Sequence, residues 1–399
     1  MSRFFKSMIV LLAIVAMATP VMAEDMLSLG GQMRVRGWYI DADQDSTKTW
    51  ADQRLRIGGK LSIADGVSIT FRTDITESNW GSNDSTYGSG RSGSTQQWDR
   101  AHLDIDLGSF SVRAGQQYLA LGISGFDAQT NGITVKTKGN MPITAFFMLQ
   151  DDNNTGSTLD DQNADGFYYG ANLGHKGESY KANIFAAGQS KVSNSEEAVY
   201  VIGVDLNYDL SAFKIVAEAE FFTGDADADN DAFGTQFYVD GSMAASETMT
   251  FGGQLFYAAG DDEDTQYIIL GNDFGGWDPI NEAGSGLNNE QITPGSATAL
   301  GTDARPYGFF GNNAGVIAGR LYGNFQLSEA FHLGASIAYL EPEDDSNVET
   351  ESVVDATVGI KYQVMANTSV GAQLVYLDLS DNPDADSIVM GGLGLFVNF

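Results

Sequence analysis

Stretches of about ten residues in which apolar and polar side chains alternate recur along the whole chain. A period of two is what a β-strand requires when its two faces meet different surroundings, because successive side chains point to opposite faces. We count eighteen such segments, with sixteen as the alternative. They lie near Leu27–Ile40, Trp50–Ile63, Val67–Glu77, Gln96–Leu107, Phe110–Leu119, Thr130–Thr137, Pro142–Gln150, Asp165–Leu173, Ser179–Gly188, Ala198–Tyr208, Ala212–Phe222, Ala232–Met243, Glu247–Ala259, Gly315–Leu327, Ala330–Leu340, Ser352–Gln363, Thr368–Asp378 and Asp386–Phe399.

The connections between these segments alternate between short and long. The short ones carry turn residues, as in Ala64-Asp65-Gly66, and would share one end of the strands. The long ones are rich in Asp, Asn, Gly and Ser and would share the other end. Short periplasmic turns and long outer loops are typical of transmembrane barrels. The pattern predicts an all-β fold, a transmembrane antiparallel up-and-down β-barrel, with residues 24–399 as a single domain.

The two faces of the predicted strands differ in character. In the second segment Leu55 and Ile57 share one face, while Arg54 and Arg56 share the other. An apolar face suits lipid, whereas a charged face needs water, since dry burial of many ions would cost several kcal/mol each. The residues that we predict to line the pore are Arg34, Arg36, Arg54, Arg56, Lys60, Arg72, Asp74, Arg100, Asp104, Arg113, Glu218 and Glu220.

Most of the inward bases fall in the first five strands, so they would form one basic wall. Glu218 and Glu220 would lie on a distant strand. Charges arranged in this way across a narrow lumen orient solutes and select ions. The alternative is that the same charges only keep a wide lumen wet. Aromatic residues near strand ends, including Trp38, Tyr39 and Trp50, are interpreted as interfacial girdles.

Both ends of the chain indicate the bacterial outer membrane. Residues 1–23 combine Arg3 and Lys6 with an apolar run and end at Ala23, the pattern of a secretory signal peptide. The last twelve residues alternate up to a terminal Phe399, which resembles the C-terminal signature that the barrel-assembly machinery reads in outer-membrane barrels. We expect this last strand to close the barrel against Leu27–Ile40.

Charge and composition exclude several classes of protein. Cleavage after Ala23 would leave a net charge of −34, because two bases and no acids are lost, so nucleic acid is not expected as a partner. The chain has no cysteine, which excludes disulfides, thiolate metal sites and a lipid anchor on cysteine. The expected partners are outer-membrane lipid and lipopolysaccharide, with the protein a monomer or a homotrimer.

The acidic surplus lies in the long connections. Asp161, Asn163 and Asp165 match the first half of a calcium loop, and Asp225, Asp227 and Asp229 form a second acidic run, but the position for the closing Glu is Asn172. Oxygen clusters of this kind could hold Ca²⁺, whereas solvated loop charge is the simpler interpretation. We expect no cofactor otherwise.

The connection from Gly260 to Ala314 is too long for a plain hairpin loop and contains apolar clusters. It would either fold into the mouth and narrow the pore or cap the rim. An enzyme is not expected, because no catalytic motif is present. His102 beside Asp104 could be half of a hydrolytic pair, but pore lining explains the two residues without chemistry.

A family resemblance covers roughly the first 120 residues. The segments Gln32–Tyr39, Gln53–Lys60, Asp99–Asp104 and Val112–Gln116 are similar to the opening hairpins of the alginate-export and related bacterial porins. The resemblance implies a barrel that passes small solutes, often anionic, although the acidic rim departs from an alginate exporter. We therefore expect a porin for passive diffusion of small hydrophilic solutes or ions. A substrate-specific uptake channel and an adhesin or structural barrel are the alternatives.

Overall fold

The computed structural model describes residues 26–42, 47–80, 97–122, 125–151, 166–190, 197–227, 229–260, 265–267, 270–271, 310, 314–344, 348, 350–382 and 386–399. The predicted signal peptide, residues 1–23, lies outside them. So do residues 161–165, which carry the first calcium candidate, and most of the Gly260–Ala314 connection. Within the described ranges, no helix has the length and hydrophobicity needed to cross a membrane.

The described residues form β-strands joined by turns. The strands are β1 Leu27–Ala42, β2 Lys48–Ala64, β3 Val67–Asn79, β4 Gln97–Asp106, β5 Phe110–Leu121, β6 Phe126–Thr137, β7 Ile143–Asp151, β8 Gly166–Lys176, β9 Tyr180–Ser190, β10 Ala198–Asp209, β11 Phe213–Asp225, β12 Asp231–Ser246, β13 Met249–Ala258, β14 Thr265–Gln266, β15 Leu270–Gly271, β16 Val316–Gln326, β17 Phe331–Glu341, β18 Ser352–Met365, β19 Thr368–Ser380 and β20 Ser387–Asn398.

Eighteen of these strands, β1–β13 and β16–β20, form a closed antiparallel wall. Each pairs with the next along the chain, and β13 pairs with β16 across the long connection. The ring closes where β20 pairs with β1, from Gln32 opposite Asn398 to Ala42 opposite Ile388. The predicted barrel, its eighteen strands and the closing seam are confirmed.

Exposure alternates along the wall strands, as the sequence pattern predicted. Leu255, Leu321 and Leu393 are 67%, 68% and 65% exposed on the outer face. Their neighbours on the inner face are buried, as Gln254 and Arg320 are. A closed sheet with an apolar outside can face lipid, because neighbouring strands pair all the way around the ring.

The interior is apolar toward the long-loop end of the barrel. On β19, for example, Val375, Leu377 and Leu379 are buried inside, while Tyr376 on the outer face is 43% exposed. Two clusters of such residues occupy opposite sides of the mouth. Phe310, from the long connection, is completely buried in the first cluster, and Leu270 is completely buried in the second. Both roles predicted for this connection, narrowing the pore and capping the rim, stay predictions.

Trp38 and Trp50 correct one prediction, because both have the parity of the inner face. Trp50 packs against the first apolar cluster of the mouth. Trp38 is more deeply buried. It is only 5% exposed and lies inside the barrel, not in an outer girdle. Its indole Nε1 donates a hydrogen bond to Asp52 Oδ2 at 2.6 Å, and its ring packs beside that of Trp50 at 6.2 Å between centroids. Trp38 has the same parity as Arg34 and Arg36, so the alternation of β1 turns it inward.

Candidate functional site on the inner wall

The inner face of β1–β5 carries a ladder of arginines. Alternation within each strand places every second residue on this face, and strand register then sets the neighbours across the sheet. The directly opposed pairs are Arg34 and Arg54, Arg36 and Asp52, Arg72 and Arg100, and Asp104 and Arg113. The predicted basic residues of the first five strands therefore lie on one continuous surface.

Carboxylates lie between most of these arginines. Asp52 Oδ1 accepts from Arg36 Nε at 2.9 Å. Asp74 binds Arg56 through two bonds, from Nε at 2.6 Å and from Nη2 at 3.1 Å. This two-pronged geometry fixes the planar guanidinium group, which a lysine could not match. The carboxylates thus hold several arginine side chains in defined positions along the wall.

Asp99 is a member of the ladder that the alternation did not predict. Its carboxylate accepts from Arg72 Nε and, at 3.0 Å, from Arg100 Nε, and the residue is only 7% exposed. Strict alternation would turn Asp99 to the outer face. The register between β3 and β4 shifts between Arg72 and Thr73, and such a bulge re-aims the side chains beside it.

Basic side chains outnumber carboxylates among the described inner-face residues of this wall. Its described inner-face bases are Arg34, Arg36, Arg54, Arg56, Lys60, Arg72, Arg100 and Arg113. The described carboxylates facing them are Asp52, Asp74, Asp99 and Asp104, while Asp106 pairs with Lys138 at 2.6 Å at the short-turn rim. Among the side chains that the structure describes, these eight bases share the inner face of β1–β5 with four carboxylates.

The bases differ in how far solutes could reach them. Arg34 and Arg54 are 6% and 7% exposed and belong to the packed wall. The side chains of Arg72, Arg100 and Arg113 are 31%, 30% and 43% exposed, and Lys60 is also exposed. The accessible positive charge therefore lies on Lys60, Arg72, Arg100 and Arg113.

His102 and Asp104 are adjacent on the inner face, with Nδ1 3.1 Å from Oδ2. The Asp104 carboxylate also accepts from Arg113 Nε at 2.8 Å and from the Thr70 hydroxyl at 3.0 Å. The carboxylate thus accepts from two donors and lies within ion-pair distance of the His102 ring. Pore lining accounts for the pair, and the absence of enzymatic activity stays a prediction.

Glu218 and Glu220 lie on the inner face of β11, but they are 5% and 0% exposed. The tip of the β5–β6 hairpin covers them. A Cβ atom placed on Gly122 would lie 2.7 Å from Glu218 Oε1, and one placed on Gly125 would touch Glu220. The two glutamates therefore contact a hairpin whose own strands lie five places away along the ring.

The acidic loop run at Asp225, Asp227 and Asp229 is built as a turn. Asp227 Oδ1 accepts from the backbone N–H groups of Asp229 and Asn230, at 2.9 and 3.0 Å, and from the Asn230 side chain. These bonds hold the pKa of the Asp227 carboxyl below its usual range. No three potential metal ligands converge anywhere in the described part of the chain. The calcium sites stay predictions.

No family model matches this sequence, and no curated protein matches it. Solved structures do share its fold. OccK9 (OpdG) of Pseudomonas aeruginosa matches with a TM-score of 0.62 and 12% identity, over 94% of this chain and 98% of its own. OccAB4 of Acinetobacter baumannii matches with a TM-score of 0.61 and 11% identity, over 96% and 100%.

A third likeness is to OpdK, an outer membrane protein of Pseudomonas aeruginosa solved with vanillate. It matches with a TM-score of 0.58 and 10% identity, over 94% of this chain and 99% of its own. This chain has the fold of these barrels. The resemblance of its opening hairpins to alginate-export porins stays a prediction.

Proposed function

We propose that this protein is an outer-membrane porin, a channel for passive diffusion of small hydrophilic solutes or ions that favours anions. The observation that carries the proposal is the row of basic side chains on the inner face of β1–β5, of which Lys60, Arg72, Arg100 and Arg113 are accessible. Low-dielectric walls focus the field of such charges into the lumen, so an accessible basic wall raises the local concentration of anions.

The comparisons support the same function. The barrels that share this fold include an outer membrane protein solved with vanillate, an aromatic carboxylate. A carboxylate is the kind of group that exposed arginine and lysine side chains bind. In this proposal the short turns face the periplasm, and the long connections face the outside together with lipopolysaccharide.

A substrate-specific uptake channel is the second candidate. It is supported by the apolar clusters on both sides of the mouth, which include the buried Leu270 and Phe310 of the long connection. A narrow entrance with apolar sides favours solutes that carry an apolar group beside their charge. Saturable block of the ion current by one solute would distinguish this candidate from general diffusion.

Planar bilayers test the proposal directly. The wild-type barrel should conduct ions and show a reversal potential that favours anions under a salt gradient. Replacement of three accessible bases, Lys60, Arg100 and Arg113, by Gln should remove that preference. Replacement of the paired or buried Arg54, Arg56 and Arg72 should also reduce it, but at a cost in stability.

Lys176→Gln is the matched control, because Lys176 is an exposed base at the short-turn end of β8. It should leave the reversal potential unchanged. If the triple variants conduct ions with the anion preference of the wild type, the basic wall does not determine selectivity. Absence of any conductance in the folded wild type would favour the adhesin or structural barrel.

A further inference from the structure

Lysines are concentrated at the short-turn end of the barrel. Six of them have inner-face parity there, and each lies within four residues of the short-turn end of its strand. For example, Lys176 lies directly opposite Lys181, and Lys214 has the parity of Glu218 on the same strand. We call this set the lysine ring, and its members are Lys60, Lys136, Lys176, Lys181, Lys214 and Lys361.

The lysine ring surrounds this mouth of the barrel. Its members come from β2, β6, β8, β9, β11 and β18, which are spread around the closed wall. Lys60, Lys136, Lys176 and Lys181 are exposed, and no carboxylate of the described residues lies within ion-pair distance of them. The ring therefore presents accessible positive charge on several sides of the mouth, whereas the basic wall is confined to β1–β5.

Carboxylates at the same end are paired or lie outside the lumen. The ion-paired ones are Asp104 with Arg113, Asp106 with Lys138 and Asp209 with Lys214. Asp205 lies deeper and accepts a hydrogen bond from Asn183 at 2.7 Å. The remaining described acids lie in the turns, beyond the strand ends, and are Asp65, Glu178, Glu247 and Glu329. Among the described side chains, the inner face of this mouth is therefore mainly basic.

The long-loop end of the barrel has the opposite sign. Exposed acids at or just beyond its strand ends include Asp225, Asp227, Asp231, Glu343, Glu351 and Asp386. Asp225 and Asp231 lie directly opposite each other on β11 and β12. Within two residues of a strand end on this side, Lys48 is the only base in the part of the chain that the structure describes. The two mouths of the barrel therefore carry charges of opposite sign.

The two mouths are far enough apart to act separately. A strand such as β3, with 13 residues, is about 43 Å long and, at a tilt of about 40°, about 33 Å tall. The Debye length in about 0.1 M salt is only about 10 Å. The charges of one mouth are therefore screened from those of the other, while each set acts on the ions that pass it.

We propose that the channel rectifies, so that it conducts more current when the outside is positive than when it is equally negative. Cations are abundant at the acidic mouth and anions at the lysine ring. A potential that is positive outside drives both into the lumen, whereas the opposite potential draws from each mouth the ion that it repels. Small anions therefore leave the periplasmic side more readily than they enter it at an equal opposing voltage. The proposal rests on the proposed channel function and adds a direction to it.

Single channels in planar bilayers test the proposal. In about 0.1 M salt, the current with the outside positive should exceed the current at the opposite voltage by about 1.5-fold or more. In about 1 M salt the Debye length falls to about 3 Å, so the two currents should become nearly equal. The chain has no cysteine, so Ala366→Cys in the exposed β18–β19 turn identifies the orientation. A maleimide polymer too large for the pore lowers the current only from the side that exposes this turn.

Variants at the two mouths test the cause of the asymmetry. K136Q/K176Q/K181Q removes three exposed members of the lysine ring and should abolish most of the rectification. Its reversal potential should stay close to wild type, because the basic wall on β1–β5 is intact. D225N/D231N removes charge at the other mouth and should also reduce the rectification, which provides a second measurement if the lysine variant does not fold.

D106N/K138Q is the matched control, because it removes one charge of each sign from an ion pair at the short-turn rim. It should leave the rectification unchanged. Equal currents in the wild type at low salt, a larger current with the outside negative, or rectification that neither mouth variant reduces would overturn the proposal. A barrel that rectifies without anion preference would support it and reject only the proposed selectivity. A wild-type barrel that does not conduct would reject the channel function itself and the proposal with it.

Discussion

Gly115 on β5 lies directly opposite Gly132 on β6, at the level where the hairpin separates from both neighbouring strands. Gly115 has φ +123°, a conformation that other residues rarely adopt. A Cβ placed on Gly132 would lie 2.6 Å from the Phe147 carbonyl oxygen. The pair forms an elbow at which the hairpin turns from the wall into the lumen.

Gly115→Ala should destabilise this elbow. The new Cβ would lie 2.5 Å from the Ala101 carbonyl oxygen, in addition to the strain at positive φ. We expect a loss of about 1–3 kcal/mol in the free energy of unfolding. Urea unfolding in micelles, followed by tryptophan fluorescence, measures it. Gly37→Ala is the control, because a Cβ there meets nothing within 4 Å. Equal losses of stability in Gly115→Ala and Gly37→Ala would show that the elbow has no special need for glycine.

Asp99→Asn should strengthen anion preference. The substitution removes the carboxylate shared by Arg72 and Arg100 and adds one positive charge to the basic wall. The anion-to-cation permeability ratio should rise in bilayers under a salt gradient. Asp106→Asn should have little effect, since its pair with Lys138 is half exposed at the rim. An anion-to-cation permeability ratio that falls or stays constant in Asp99→Asn would be evidence that the field of the basic wall does not select ions.

Trp38→Phe should cost stability through the polar group that it leaves behind. Asp52 Oδ2 would lose the indole donor at 2.6 Å in a buried site, which we expect to cost about 1–2 kcal/mol. Trp80→Phe is the matched control, because its indole donates to Gln53 at the exposed outer face. That variant should change stability by less than about 0.5 kcal/mol. If the two variants lose the same stability, the buried hydrogen bond from Trp38 to Asp52 contributes no more than the exposed one from Trp80.

The Asp227 pKa should depend on Asn230. The Asn230 side chain donates to both carboxylate oxygens at 2.9 Å and is the largest cause of the lowered pKa. A carboxyl whose folded pKa is lowered stabilises the turn above its unfolded pKa, and this contribution disappears as pH falls through the folded pKa. Asn230→Ala should raise the pKa toward its ordinary value. NMR titration of the Asp227 carboxyl carbon would measure this pKa. An unchanged pKa in Asn230→Ala would exclude the hydrogen bond from the Asn230 side chain as its cause.

Alternation was enough to predict the eighteen strands, because a barrel wall meets lipid on one face along its whole length. It also placed Arg56 and Asp74 on the inner face, where they pair. It failed where one residue breaks the period, as at Asp99, since a bulge cannot be located from polarity alone. Trp38 was assigned to the interfacial girdle because it lies near a strand end, although its parity already indicated the interior of the barrel.

The inward turn of the β5–β6 hairpin could not be predicted for a different reason. Its strands alternate normally, so nothing local distinguishes a hairpin in the wall from one that leaves it. The available signal was the polarity of Gln116, Gln129 and Asn131 at outer-face positions. The contacts with Glu218 and Glu220 depend on where the hairpin tip arrives across the barrel, which is a property of the closed ring.

Removal of Val397–Phe399 should prevent stable insertion. Phe399 exchanges two backbone hydrogen bonds with Gly31, at 2.7 and 3.0 Å, and its ring lies over that glycine. Asn398 and Val397 supply the next two pairs of the seam. Loss of the heat-modifiable folded band in gels is the expected result, with normal conductance in any molecules that do insert. Full folding yield without these residues would show that the seam closes without them.

The seam also determines the order of assembly. Gln32 and Asn398 are hydrogen-bonded across 366 positions, whereas each hairpin pairs residues that are close in sequence. Bringing the ends together therefore carries the largest loop-closure entropy in the molecule, which grows by about 0.6 kcal/mol for each doubling of length. Hairpins can form as the chain emerges, but the ring cannot close until β20 is available to pair with β1. Until then both edges expose unpaired backbone, which makes the unfinished barrel dependent on protection from other chains.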